Sequence, residues 1–148
     1  MDIERMNAKR LSRIQFYQLT VLFSVFFALL GFSYNVWRME VTEENSNIRT
    51  ASFEILLTLS SLEQLVYSAH YDGDQQEGNP RKGWVKVGLI EDLSVLTTDS
   101  VQAQAAVLKT VWSNNWGSMM ENQDSADQIV TAIDSTRREL KLVLRSLE

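Results

Sequence analysis

From Ile14 to Trp37 the chain runs for 24 residues, IQFYQLTVLFSVFFALLGFSYNVW, without one charged side chain. As a helix rising about 1.5 Å per residue the run reaches roughly 36 Å, enough to cross a hydrocarbon layer of about 30 Å with some tilt. The other apolar runs are short and interrupted by charges, so the sequence predicts a single span. A cleaved signal peptide fits less well, because the apolar region exceeds the usual length of about 7 to 15 residues and no A-x-A-like site follows it. The expected organisation is a short tail over 1–13, a transmembrane helix over 14–37 and one exported domain over 38–148.

Flanking charge predicts the orientation. Arg5, Lys9, Arg10 and Arg13 precede the span, whereas Arg38 alone follows it closely, with Glu40, Glu43 and Glu44 behind. The bias of Lys and Arg toward the cytoplasmic side then holds the N-terminus inside and sends the body across the membrane. Phe16 and Tyr17 at one end, and Tyr34 and Trp37 at the other, occupy the levels where aromatic belts form. Within the span Ser24, Ala28 and Gly31 are four and three residues apart, on one helix face, a spacing that admits a neighbouring membrane helix.

Composition narrows what the body does. Arg38 to Glu148 carries ten Lys and Arg against seventeen Asp and Glu, an excess of seven negative charges. That balance argues against nucleic acid and against lying flat on anionic lipid. The chain has no cysteine, which excludes disulfides, thiolate nucleophiles and thiolate metal sites together. The absence of any N-x-S/T sequon fits a bacterial envelope protein. Roughly 110 residues suffice for one apolar core.

The body reads as all-α. Ile48, Ile55, Leu59, Leu62, Val66 and Ala69 form a heptad-like stripe with Ser52 at its one polar place, and Leu56, Leu57 and Leu65 widen it. One long helix is therefore expected from the membrane to His70, loosened near Glu44 to Asn47. A second helical segment starts at Asn79-Pro80 or at Trp84, with Leu89, Leu93 and Leu96 as its first stripe and Val101, Ala105, Leu108 and Trp112 as its second. Thr97 to Ser100 marks a possible interruption, with Asp99 as N-cap. The last segment opens at Asp124-Ser125, where Ser125 and Gln128 have capping-box spacing, and continues through Ile129, Ile133, Leu140, Val143 and Leu147. These segments predict an antiparallel periplasmic bundle of three to four helices, drawn most simply as up-down-up. In that drawing Trp116, Met119 and Met120 return toward the membrane and the C-terminus ends at the far side, level with the turn after His70.

Chemistry-bearing residues are sparse. Ala69 to Trp84, AHYDGDQQEGNPRKGW, holds the only histidine and is the least generic stretch. Asp72, Asp74 and Gln76 alternate as in a calcium loop, but Glu77 stands where that loop needs Gly and Gly83 where it needs a bidentate Glu. No metal and no cofactor are expected. Asp72-Gly73-Asp74 and Asn79-Pro80 read first as turn and cap chemistry. Adjacent acids such as Glu43-Glu44 diverge by about 100° on a helix, and no serine has an orienting base other than His70, so no enzyme is expected. Arg137-Arg138-Glu139 reads as a solvated helix face, and Trp112 as core.

The residues selected for partner binding are His70, Tyr71, Asp72, Asp74, Arg81, Trp84, Trp116 and Met119. They support a single-pass inner-membrane accessory or structural subunit, N-terminus in the cytoplasm, whose periplasmic helices dock onto other membrane or periplasmic proteins or onto a second copy. The competing expectation is a sensory or small-ligand-binding module acting through a partner.

Overall fold

The structure is a computed structural model that describes residues 2–147, with side chains from Phe16 onward. Among the described residues there are four helices and no strand: α1 (Asp2–His70), α2 (Pro80–Ser94), α3 (Asp99–Asn115) and α4 (Gln123–Ser146). The chain divides into two units, Met1–Glu43 and Glu44–Glu148.

In the first unit every residue from Phe16 on is exposed, including Phe16, Leu19, Leu22, Phe26, Leu29 and Phe32. A helix apolar on all sides has no polar face to offer water, which is the composition of a membrane span. This is the one helix among the described residues long and apolar enough to cross a bilayer. Two of its hydroxyls are satisfied within the helix: Thr20 Oγ1 donates to Phe16 O and Ser24 Oγ to Thr20 O, each at 2.9 Å. Ser24, Ala28 and Gly31 are all exposed, and a Cβ built on Gly31 would meet nothing within 4 Å.

The second unit folds around one apolar core. Residues Glu44 to Asn47 are helical, without the expected loosening. The stripe on α1 is buried as its spacing predicts: Ile55, Leu59, Leu62 and Val66 are fully enclosed, and so is Ser52 at the polar place. Leu57, expected to widen that stripe, points outward at 66% exposure. From α3 the core takes Val101, Ala105, Leu108 and Trp112, and from α4 Ile129, Ile133, Leu140 and Val143.

Helix α2 departs from expectation. It buries Gly83, Val87, Ile90 and Ser94; of the expected stripe only Leu93 packs partly against the core, while Leu89 is exposed and Leu96 lies beyond the helix, also exposed. The physical reason is the rigid indole of Trp112, which packs against Gly83. A Cβ there would overlap Trp112 Cη2 and Cζ2, so the glycine side of α2 has to face inward.

The helix ends also correct two expectations. Pro80 is the first residue of α2, and Asn79 Oδ1 accepts from Arg81 N at 2.9 Å. Thr98, in extended conformation and with no side-chain cap bond, precedes α3, so Asp99 lies in the first turn, where its charge favours the helix dipole. The cap of α4 is Asn122, whose Oδ1 accepts from Ser125 N at 3.3 Å; Ser125 donates its backbone N–H to the cap and is not the cap itself.

Val95 to Thr98 separate two helices, and the consequences are large. Lys86 Nζ of α2 meets Ser61 of α1, Lys109 of α3 meets Glu91 of α2, and Arg137 of α4 meets Glu63 of α1, each at 2.5 Å. Arg49 donates to Leu147 O at 3.4 Å, while His70 lies beside Met119 and Gln123. Met119 thus sits at the His70 end of the unit and Leu147 at the Arg49 end, opposite to the up-down-up drawing. One additional chain reversal accounts for both.

Candidate functional site

The extra reversal brings together two segments that are distant in sequence: the turn after His70 and the turn between α3 and α4. Gly73 takes φ +62°, a left-handed conformation that favours glycine, and turns the chain away from α1. Asp74 Oδ1 then accepts from Gln76 N at 2.8 Å and Glu77 N at 3.0 Å. Those two backbone bonds hold its carboxyl below the usual carboxylate value, because they favour the charged form. Gly78 sits against the end of α1, where a Cβ would come within 2.5 Å of Ala69 Cα.

His70 joins the two turns. Its Nδ1 lies 2.8 Å from Met119 O and its Nε2 lies 2.8 Å from Gln123 Oε1. The Gln123 amide donates through Nε2 to Asp127 Oδ1 at 2.9 Å and to the Tyr71 hydroxyl at 3.1 Å. Reversing that amide would set its oxygen against the Asp127 carboxylate, so its orientation is fixed. Both ring nitrogens of His70 are therefore engaged, one by the α3–α4 turn and one by the start of α4.

The selected residues separate into two groups. Tyr71 is 62% exposed and Trp116 40% exposed, and Asp72, Asp74 and Arg81 are also on the surface at this end. Met119 is fully buried in the core and offers a partner nothing but its surroundings. Trp84 is half-buried and packs edge-to-face on Trp112, ring centroids 6.4 Å apart at 88°. Sequence reasoning missed Gln123 and Asp127, which complete the His70 network; a lone Gln at a helix start carries no periodic or motif signal.

Arg137 is also corrected. It is 20% exposed, with Nη2 at 2.5 Å from Glu63 Oε2 and Nη1 at 2.5 Å from Asp134 Oδ1. Arg138 keeps the solvated position. Tyr67 donates to Glu63 Oε1 at 3.0 Å; burial first, then this bond and the Glu63 charge, push its phenol above the ordinary value. A polar hollow of about 240 Å³ lies between α1 and α2, lined in part by Lys82 and Lys86. Both amines are engaged there, Lys82 with Glu77 at 3.1 Å and Lys86 with Ser61.

The chain matches no protein-family model, no curated protein and no solved structure.

Proposed function

We propose that the chain is a single-pass accessory subunit of a bacterial inner membrane, its N-terminus in the cytoplasm and its antiparallel helical bundle in the periplasm. In this reading the bundle docks onto other envelope proteins through the end that carries the His70 and Trp116 turns. One observation carries the proposal: the least generic segment of the sequence, the turn after His70, meets the Trp116 turn at one end of the fold, and the two leave Tyr71 and Trp116 on its surface. Exposed aromatic side chains beside charged ones are the usual composition of a binding anchor with its rim. The alternation of helix direction is supported by the pairing of Arg49 with Leu147, Glu63 with Arg137 and His70 with Gln123.

Two measurements test it. The chain lacks cysteine, so a single Cys placed at exposed Ala103 reports sidedness directly. A membrane-impermeant maleimide should label it in intact spheroplasts, and labelling only after lysis would put the unit in the cytoplasm. For docking, a photo-crosslinking amino acid at Tyr71 or Trp116 should give discrete adducts in native membranes, with none from Leu142 on α4. Adducts from Leu142 alone would move the interface away from this end.

A further inference from the structure

A groove of about 500 Å³ runs between α3 and α4, within the range that holds small organic ligands. Val107 and Val111 of α3 and Ala132 of α4 supply its apolar surface. Val107 is 51% exposed, an apolar side chain that the unit itself leaves uncovered. Gln104, Thr131 and Ser135 supply neutral polar edges.

Charge sets the chemistry of what would fill it. Asp124 and Asp127 line the groove and no Lys or Arg does. Neither carboxylate is in an ion pair among the described residues; on the same two helices Lys109 pairs with Glu91 and Arg137 with Glu63 and Asp134. Asp127 accepts one hydrogen bond, from Gln123, which leaves acceptor sites on a group with about four. A first-turn position on α4 gives Asp124 a helix-dipole role as well, but that role needs no apolar surface beside it.

We infer that this groove binds a small organic ammonium ion, a protonated amine on a short apolar body, with the body on Val107, Val111 and Ala132 and the amine between Asp124 and Asp127. The inference does not rest on docking at the Tyr71–Trp116 end: it uses neither residue, although Gln123 bonds both Asp127 and Tyr71. Anions of the same shape are repelled, and neutral analogues keep the apolar contact but lose the charge-assisted hydrogen bonds.

The test uses the full chain in phosphatidylcholine nanodiscs, whose zwitterionic surface does not concentrate amines. Methyl NMR signals of Val107, Val111 and Ala132 are followed against benzylammonium, benzyl alcohol and benzoate. Benzylammonium should shift all three saturably, benzyl alcohol should bind at least tenfold more weakly and benzoate should not bind. The double variant Asp124→Asn/Asp127→Asn should lower benzylammonium to the level of the alcohol, and it retains an acceptor for Gln123. Val107→Trp, at an exposed position, should block the groove and abolish the shifts should the double variant unfold. Equal binding of alcohol and amine, binding of benzoate, no saturable shift, or undiminished amine binding by a folded variant would each overturn the inference.

Discussion

Two glycines in α2 give the sharpest test of the packing, because the same substitution should have opposite signs five residues apart. At Gly83 a Cβ would overlap Trp112 Cη2 and Cζ2 and lie 3.2 Å from Cε2. Trp112 is fully buried and held edge-on by Trp84, so the ring has nowhere to retreat. Gly83→Ala gains about 1 kcal/mol of helix propensity, while overpacking a closed core costs roughly 1–3 kcal/mol and occasionally more. A clash with a rigid ring lies at the costly end, so the net loss should be about 2 kcal/mol. At Gly88 a Cβ meets nothing within 4 Å, and Gly88→Ala should stabilise by about 0.5–1 kcal/mol. At about 4 °C per kcal/mol for a unit of this size, Gly83→Ala should melt about 8 °C lower and Gly88→Ala a few degrees higher than the parent. Thermal circular dichroism of the full chain in mild detergent reads both, and near-ultraviolet ellipticity reports whether Trp112 has moved. If Gly83→Ala melts at or above the parent, Trp112 does not pack on this glycine and the inward face of α2 is misassigned.

Ser52 is fully buried with an unpartnered hydroxyl, so Ser52→Ala should stabilise by up to about 1 kcal/mol in chemical denaturation; a loss of that size would mean the hydroxyl is bonded. Glu63 and Arg137 are 22% and 20% exposed, and a double-mutant cycle with Gln and Met should return a coupling near 1 kcal/mol, against essentially zero for a solvated pair. Asp74 has a lowered carboxyl pKa, so the bonds it accepts are fully formed above the ordinary carboxylate value and are lost as pH falls through the lowered one. The Gln76 and Glu77 amide shifts should therefore titrate below the usual Asp range and lose that step in Asp74→Asn; a step at or above the usual value would contradict the turn geometry.

What the sequence revealed, and what it hid, divides along physical lines. Spacing identified the buried faces of α1, α3 and α4, because there Ile, Leu and Val at helical intervals coincide with the core. It failed on α2, which is apolar on two faces, Val85 and Leu89 outward against Val87 and Ile90 inward. The choice between them rests on Gly83 and Ser94, residues whose small size fits the core but which give no hydrophobic signal. The same blindness affected the topology. Val95 to Thr98 contains neither Gly nor Pro, so a reversal there looks like a minor interruption. Missing it placed Trp116 and Met119 at the wrong end and hid the meeting of the two turns.

That meeting also changes where binding chemistry is to be sought. In sequence the turn after His70 holds the conspicuous groups, yet the fold uses most of them internally. Both nitrogens of His70 are occupied by Met119 O and Gln123, Asp74 serves its own turn, and Asn79 caps α2. What this end leaves for a partner is mainly aromatic surface, Tyr71 and Trp116. Asp124 and Asp127 look unremarkable in sequence because acids are common at helix starts. In the fold they adjoin an open apolar groove without a compensating cation. A charge is informative when nothing nearby neutralises it, and only the packing of α3 against α4 shows which charges those are.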